Sequence, residues 1–372
     1  MKIRLFLLLG TLILIGGSII YLERHKTAPL PADRTTTLGS PDQQEKAKIY
    51  PPAVELVDPS GYINTPHITL SEEIGKKVVL IDFWTYSCIN CQRTIPYLNA
   101  WYQKYKDQGL EIIGVHAPEF EFEKDYANVQ DAVKRFGIQY PVVLDNNLNT
   151  WNAYQNHYWP HEYIIDIDGY IADDHIGEGN YDETEKKIQQ LLTERAQRLH
   201  STSSFSEDIV QPSDVISIDF AQTMSPETYF GSARNKYLSN GVKQTQGLQS
   251  LKIPSTIAAN NLLLDGTWNF SNEYAENTTE NARIVYKYTA KNVYIVAGSK
   301  NGATIRVLRD GVPITTQPFR GKDIIQDTDG VSRVHIQEER LYTLIQDSSY
   351  GEHTLEIIVE KQHLQAFTFT FG

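Results

Sequence analysis

The two cysteines of this chain, Cys88 and Cys91, are three residues apart, and their placement constrains the fold more than any other feature. They follow an apolar run, Val78–Trp84, that has the length and composition of a buried strand. The segment behind them has the apolar spacing of a helix. A C-x-x-C pair where a strand passes into a helix is typical of a dithiol redox site. We therefore expect a site that makes and breaks a disulfide.

The start of a helix explains why such a site needs this spacing. Unpaired N–H groups and the positive end of the helix dipole stabilise a thiolate on the first cysteine. Three residues further on, about one helical turn, the second sulfur returns to the side of the first. We assign Cys88 as the nucleophile and Cys91 as the thiol that resolves a mixed disulfide, the two forming the redox disulfide.

Other roles for a cysteine pair fit the sequence less well. A structural zinc site needs about four ligands, and the chain has no second pair of cysteines. A purely structural disulfide across so short a loop removes little entropy from the unfolded chain. We expect neither a metal nor a cofactor.

Asp82 lies inside the apolar strand, six positions before Cys88. A carboxyl group is costly to bury there, and its pKa should be raised. This suits a proton carrier for Cys91, which must lose its proton before it attacks. An inert, hydrogen-bonded aspartate at a strand end is the alternative.

The order of these residues resembles a known family. Asp82-Phe83-Trp84, then Cys88 to Cys91, then Pro96 is similar to thioredoxin at every offset. Residues 83–98 look like the thioredoxin-like domain of the DipZ family in particular, as do residues 114–120, 151–154 and 158–160. The likeness runs from about residue 50 to about 200. It continues past 215, through residues 225–231, into the C-terminal β-module of that family.

The resemblance implies further site residues. Pro160 is expected as the cis-proline that faces the cysteines, with an ordinary trans proline as the alternative. Trp84 and Trp159 are the expected substrate-binding side chains, and the bulk of Trp159 should narrow the substrate groove. Glu119 is a candidate second proton relay, although a solvated loop acid explains it equally well.

The resemblance also implies partners. Longer DipZ proteins carry a multi-helix membrane domain that delivers electrons, and this sequence shows no such domain. A reductase of this kind would need a separate membrane electron donor of the CcdA or DsbD type. Its substrates would be disulfide-containing envelope proteins. A net charge of −12 argues against nucleic acid as a partner.

The N-terminus carries an uncharged apolar stretch at residues 5–22. It is longer than the apolar core of a signal peptide, has no small-residue cleavage site and approaches the length of a spanning helix. We expect residues 1–26 to be an uncleaved transmembrane anchor, with a cleaved signal peptide as the alternative. The catalytic part would then lie outside the cytoplasm, at the cell surface or in the periplasm.

Four segments are expected after the anchor. Residues 27–52 read as a polar, proline-containing linker, and residues 201–214 as a second linker. Residues 53–200 alternate strand and helix, as in an α/β thioredoxin-like domain with helices on both sheet faces. The elements expected there after the first helix are strands at 110–116, 142–144, 161–167 and 170–174 and helices at 124–136 and 182–200. Asp168-Gly169 should form a hairpin turn rather than a calcium loop.

Residues 215–372 change to a period of two, with turns at Asn301-Gly302 and Asp310-Gly311 among others. This pattern predicts an all-β sandwich, jelly-roll-like, and family analogy suggests a carbohydrate-binding-like module. Exposed aromatic side chains such as Trp268 or Tyr274 could stack on a glycan, although for Trp268 we favour a core position in the β-sandwich. Docking on the redox domain or on a partner protein is an equal contender for the module's role.

The leading hypothesis is a membrane-anchored, extracytoplasmic thiol–disulfide oxidoreductase, acting as a reductase of envelope protein disulfides. A peroxiredoxin-like peroxidase is one alternative, because Thr85-Tyr86-Ser87-Cys88 gives T-x-x-C, although Ile81 occupies the position of the usual proline. An envelope protein that binds a glycan or a partner, with a subsidiary redox domain, is the non-enzymatic alternative.

Overall fold

The computed structural model describes residues 41–201, 205–213, 215–216, 218–219, 221–314, 317–326 and 329–372. The expected anchor at residues 1–26 lies outside this part of the chain, as do residues 27–40 of the first linker. Among the described residues, no helix is both long enough and apolar enough to span a bilayer.

Helix α1, Pro41–Ile49, occupies the end of the segment that we expected to be an irregular linker. Its proline stands at the first helical position, where the missing N–H costs nothing, and good helix formers follow it. Residues 50–372 form a compact unit separate from this helix.

The first half of that unit is a six-stranded sheet in the order β1-β4-β3-β2-β5-β6. Strands β2, β3 and β4 run parallel, and β1, β5 and β6 pair antiparallel. The strands are β1 Gly61–Ile63, β2 Val78–Trp84, β3 Leu110–His116, β4 Val142–Leu144, β5 His161–Ile165 and β6 Ile171–Ile176. The helices are α2 Leu70–Glu73, α3 Ile89–Tyr105, α4 Tyr126–Arg135, α5 Asn149–Ala153 and α6 Tyr181–Arg198.

Strand β2 lies at the centre of this sheet, and all seven of its residues are buried. Alternate side chains enter different cores. Val78, Leu80 and Trp84 join the core with α3, α4 and α6, whereas Val79, Ile81 and Phe83 join the core with α2 and α5. A strand covered on both faces must be apolar throughout, which is why the sequence marks it so clearly.

The turn between β5 and β6 is the hairpin that Asp168-Gly169 predicts. Gly169 has a φ of +88°, and its N–H donates to the Asp166 carbonyl. The Asp166 carboxylate accepts the N–H groups of Asp168 and Tyr170. Its carboxylate oxygens lie within 4.8 Å of those of Asp168 and Glu194, but the turn and the ion pair from Arg198 to Asp168 account for this cluster without a cation.

The second half of the unit is all β, as the period of two predicts. Its sheet follows the order β14-β15-β12-β16-β11-β17-β10-β9-β8, with β7 beside β17 and β13 beside β12. The strands are β7 Thr228–Tyr229, β8 Gly247–Leu251, β9 Leu262–Phe270, β10 Ala275–Asn277, β11 Ala282–Gly298, β12 Ala303–Arg309, β13 Val312–Pro313, β14 Ile325–Gln326, β15 Ser332–Ile336, β16 Arg340–Val359 and β17 Gln365–Phe371.

One edge of strand β11 pairs with β16, and the other edge pairs with two different strands. Residues 283–286 pair with β9, and residues 293–298 pair with β17. The buried side chains of these strands form a hydrophobic core of their own. Trp268 is fully buried in that core and donates its indole N–H to the Asp265 carbonyl, so it has no free face for a glycan. Tyr274 is half-buried and packs against Phe367.

The two halves share an apolar core next to the cysteines. The Phe367 ring of β17 lies 5.2 Å from the Phe120 ring and 4.8 Å from the Phe122 ring, measured between centroids. The Tyr86 hydroxyl donates to the Glu339 carbonyl across the same boundary. The β half therefore packs directly on the end of the α/β half that carries the cysteines.

Candidate active site

Helix α3 begins at the cysteines. Cys88 is its N-cap, with φ −78° and ψ 119°, and the Cys88 sulfur accepts the N–H of Cys91 at 3.4 Å. Both cysteines are free thiols. The N-cap position aims helix N–H groups at the Cys88 sulfur, which is the arrangement that stabilises a thiolate.

The two thiols differ in their access to solvent. Cys88 is partly exposed, whereas Cys91 is 1% exposed. Burial raises the pKa of Cys91 well above its ordinary value, and the neighbouring Cys88 and Asp82 add to the shift. A substrate reaches Cys88 first, and Cys91 needs a base before it can attack.

Asp82 lies in β2 below the cysteines and is 1% exposed. Burial raises its pKa to about 8, in the direction that its apolar strand predicts. Glu162 lies directly opposite in β5, because the register of the two strands pairs Asp82 with Glu162. Burial, followed by the charge of Asp82, raises the pKa of Glu162 well above its ordinary value.

Neither carboxyl group of this pair is fully satisfied. Oδ1 of Asp82 and both carboxyl oxygens of Glu162 lack a hydrogen-bond partner among the described residues. Sequence reasoning missed Glu162, although a glutamate inside an otherwise apolar strand was a visible signal. Two buried carboxyls side by side resist ionising together, and the one that does ionise is a base that can take a proton from Cys91.

The Trp159–Pro160 peptide bond is cis. It places the Trp159 carbonyl 3.9 Å from the Cys88 sulfur. The Trp159 indole donates to the Ala117 carbonyl and packs on the Trp151 ring at 4.2 Å between centroids. Trp159 therefore forms a fixed wall beside Cys88.

Trp84, the other expected substrate-binding tryptophan, is fully buried. It packs edge-on against the His116 ring at 5.0 Å, and burial lowers the pKa of His116 to about 3. In this structure Trp84 supports the core under the site and presents no surface to a substrate.

Glu119 lies beside Cys88, with its side chain 9% exposed. Its Oε1 accepts from Arg234 at 2.6 Å and from the Tyr229 hydroxyl at 2.8 Å, both from the β half. The bond from Arg234 is a charge-assisted hydrogen bond. The structure therefore ties this candidate relay to the second half of the molecule.

Glu123 is a site residue that sequence reasoning missed. It is fully buried, and its carboxylate accepts the Ser87 hydroxyl at 2.5 Å and the backbone N–H groups of Ser87, Glu119 and Phe120. Burial and the charge of Glu119 raise its pKa to about 7. Glu123 thus connects the residue before Cys88 to the loop that carries Glu119.

Sequence reasoning also missed Arg93 and Glu178. Their side chains are joined by two hydrogen bonds of 2.7 and 2.8 Å. Arg93 also donates to the Asn90 side chain between the cysteines. Their side chains are 4% and 9% exposed. The pair attaches the first turn of α3 to the loop before α6.

A pocket of about 260 Å³ opens at Cys88. One side comes from the α/β half, including Trp159, Arg93 and Glu119. The other comes from the β half, including Glu227 and Tyr229. The partly exposed thiol therefore faces a pocket between the two halves.

Comparison with known proteins agrees with this division. Residues 52–173 match the AhpC/TSA family, and residues 225–372 match the family described as thioredoxin like C-terminal domain. Protein DipZ of Mycobacterium bovis is 39% identical over 325 residues, which are 86% of this chain and 43% of DipZ. The chain thus spans less than half the length of the DipZ proteins that it matches.

Two shorter relatives match the α/β half. The thiol–disulfide oxidoreductase ResA of Bacillus cereus is 30% identical over 135 residues, 34% of this chain and 75% of ResA. The thiol–disulfide oxidoreductase YkuV of Bacillus subtilis is 29% identical over 147 residues, 40% of this chain and 98% of YkuV. These relatives confirm the predicted resemblance and the predicted enzyme class.

Proposed function

Because the chain belongs to the thiol–disulfide oxidoreductase family and is a DipZ homologue across both halves, we propose that it reduces disulfides of envelope proteins outside the cytoplasm. The observation that carries the proposal is the partly exposed Cys88 thiol at the N-cap of α3, with the buried Cys91 one turn behind it. A membrane anchor at residues 1–26 holds the protein at the cell surface or in the periplasm.

The reaction has two steps. The Cys88 thiolate attacks one sulfur of the substrate disulfide, and the other sulfur leaves as a thiolate that takes up a proton. Cys91 then gives its proton to Asp82 and attacks the Cys88 sulfur, which releases the second substrate thiol. The product is one enzyme disulfide and two substrate thiols. Each turnover ends with the cysteines oxidised.

A reductant must therefore restore the dithiol, and we propose a membrane electron donor of the CcdA or DsbD type. The substrate segment would lie along the cis Trp159–Pro160 peptide, with Trp159 as its binding side chain. The pocket requires this segment to be narrow, since the β half covers one side of Cys88. Trp84 has no part in this proposal, because it is buried.

A peroxidase is the alternative enzyme, and a contact of Thr85 argues against it. The Thr85 hydroxyl, needed for a T-x-x-C peroxidase site, is buried and lies 3.4 Å from Nε2 of His116. A glycan ligand for the β half stays a prediction that rests on the partly exposed Tyr274.

The test uses the fact that the chain has only two cysteines. We expect Cys88→Ser to abolish reduction of a disulfide-bonded protein substrate. We expect Cys91→Ser to accumulate a mixed disulfide with that substrate, detected as added mass on Cys88. Exchange that survives in Cys88→Ser would refute the proposal, and peroxide consumption far above that of a free thiol would favour the peroxidase.

Alkylation of thiols in intact cells tests the direction of electron flow. A site that is mostly reduced in the cell indicates a supply of electrons and a reductase. A site that is mostly oxidised would contradict the reductase and indicate a disulfide donor.

A further inference from the structure

The pocket at Cys88 is lined by two carboxyl groups, one from each half, that are joined by one hydroxyl. The Tyr229 oxygen lies 2.8 Å from Oε1 of Glu119 and 2.7 Å from Oε2 of Glu227. All three side chains line the pocket together with Cys88. Glu227 and Tyr229 belong to the β half, in and just before strand β7.

The hydrogen bonds among Glu119, Tyr229 and Glu227 depend on how many protons these three groups hold. A tyrosine hydroxyl donates one hydrogen bond and can accept others, while an ionised carboxylate only accepts. If both carboxyls were ionised, one of the two short contacts would bring oxygen lone pairs together. Both contacts are full hydrogen bonds when one carboxyl group carries a proton and donates it to the Tyr229 oxygen.

The surrounding charges indicate which carboxyl this is. Glu119 accepts from Arg234, whose guanidinium also lies 3.7 Å from the centre of the Tyr229 ring, which leaves Glu227 as the carboxyl that carries the proton. Glu227 faces Glu119, the Tyr229 hydroxyl and the Thr370 hydroxyl of β17, with Arg234 next to them. Lys236 lines a neighbouring pocket to which Glu227, Tyr229 and Arg234 also contribute.

Partial removal from water and the charge of Glu119 raise the pKa of Glu227 to about 7. The Glu227 side chain is nevertheless exposed to solvent. It can therefore hold a proton near neutral pH and recover one from water after giving it away.

We propose that Glu227 is the proton donor to the substrate sulfur that leaves when Cys88 attacks, and that Tyr229 is the positioning residue that holds it. This role rests on the oxidoreductase function proposed above. Cys88 forms a bond to one substrate sulfur, the substrate S–S bond breaks, and the electron pair goes to the other sulfur. That thiolate takes the proton of Glu227, which becomes a carboxylate.

Solvent then returns a proton to Glu227, and the same donation serves the second thiolate when Cys91 attacks the mixed disulfide. An acid with a pKa of about 7 protonates an alkyl thiolate, whose thiol has a pKa of about 8.5, in the favourable direction. The second half of the molecule would thus supply an acid to the redox centre of the first.

The test compares two disulfides whose leaving sulfurs differ in basicity. Hydroxyethyl disulfide releases a basic alkyl thiolate that needs a proton, whereas dithiodipyridine releases a weakly basic sulfur that does not. Both react with the same Cys88, so the ratio of the two single-turnover rates isolates the leaving step from the ionisation of Cys88. The reduced full-length protein is used.

We expect Glu227→Gln to lower the rate with hydroxyethyl disulfide by about 100-fold, the low end of general acid catalysis, and to leave the rate with dithiodipyridine unchanged. In the wild type the rate ratio should fall as the pH rises through about 7, where Glu227 loses its proton. In Glu227→Gln the ratio should not change over this pH range. Glu121→Gln, at a carboxylate whose side chain is 73% exposed, is the matched control.

Tyr229→Phe keeps the ring under Arg234 and removes only the hydroxyl, and we expect it to lower the same ratio partially. It also provides the test if Glu227→Gln does not fold. An unchanged ratio in the variant tested, or an equal loss with both disulfides, would overturn this inference. The proposed function fails separately, if Cys88→Ser retains exchange.

Discussion

Asp82 illustrates how one buried side chain serves the chemistry at a cost in stability. Its apolar surroundings raise its pKa to about 8. This makes it a base that works near neutral pH, where an ordinary aspartate would be too weak to take a proton from Cys91. The charge of Asp82 raises the pKa of Glu162 on the adjacent strand, so Glu162 keeps its proton when Asp82 ionises.

The raised pKa of Asp82 predicts a pH-dependent loss of stability. From about pH 4 to about pH 8 the folded protein holds a proton that the unfolded chain has released. Stability therefore falls as the pH rises through this window. Asp82→Asn should remove this loss and flatten the pH dependence by up to about 1.4 kcal/mol per pH unit.

Urea unfolding of the wild type and Asp82→Asn across this range measures the difference. Asp131→Asn, at a carboxylate of α4 whose side chain is 74% exposed, is the control and should follow the wild type. Parallel curves for the wild type and Asp82→Asn would show that Asp82 ionises normally in the folded protein.

At the scale of elements, the start of α3 is held by contacts outside the helix. Glu123 binds the residue before Cys88, and the Arg93–Glu178 pair holds the first turn against the loop before α6. Burial raises the pKa of Glu178 even with Arg93 beside it, so desolvation offsets much of the attraction within the pair. The pair orients the cysteines more than it stabilises the fold.

Removing one partner of this pair leaves the other as an uncompensated buried charge. We expect Arg93→Met to lower the free energy of unfolding by about 3–5 kcal/mol. The double variant with Glu178→Met should recover most of this loss, because it leaves no unpaired charge. Urea unfolding measures both variants.

Lys134 is the matched control, since its ion pair with Asp131 has side chains 67% and 74% exposed. Lys134→Met should cost about 0–1 kcal/mol. A double variant as unstable as Arg93→Met would show that packing, rather than charge, makes Arg93 important.

At the scale of the whole molecule, the β half forms part of the active site. Aromatic rings from both halves meet around Phe367, and the β half supplies one wall of the pocket at Cys88. Residues 50–372 form one compact unit, so we expect them to unfold together. Under the proposed function, this arrangement limits which disulfides reach Cys88.

Phe367→Ala tests this coupling. Phe367 is 2% exposed, and its truncation should lower the free energy of unfolding by about 3–5 kcal/mol. Because the ring contacts both halves, calorimetry should show the single wild-type transition separating into two. Leu248→Ala, at a side chain 68% exposed, is the control and should leave the transition unchanged. Two transitions already present in the wild type would contradict the coupling.

Elements that depend on local signals could be predicted from the sequence alone. The apolar run of β2, the cysteine spacing at the start of α3, the hairpin at Asp168-Gly169 and the period of two after residue 215 each predicted the observed element. Helix periodicity, turn conformation and the alternation of a strand depend on residues a few positions apart. A single sequence therefore carries that information directly.

Only the tertiary structure decided which distant groups meet. Asp82 and Glu162 are paired by strand register, Ser87 and Glu123 by a loop, and Glu119 and Tyr229 by the contact of the two halves. The sequence pointed to Glu119 as an acid and to Trp84 as a binding side chain. In the structure, the Glu119 carboxylate forms an ion pair with Arg234, and the Trp84 side chain is fully buried. The physical reason is that charge pairing and burial depend on neighbours brought together by packing, and no local periodicity encodes those neighbours.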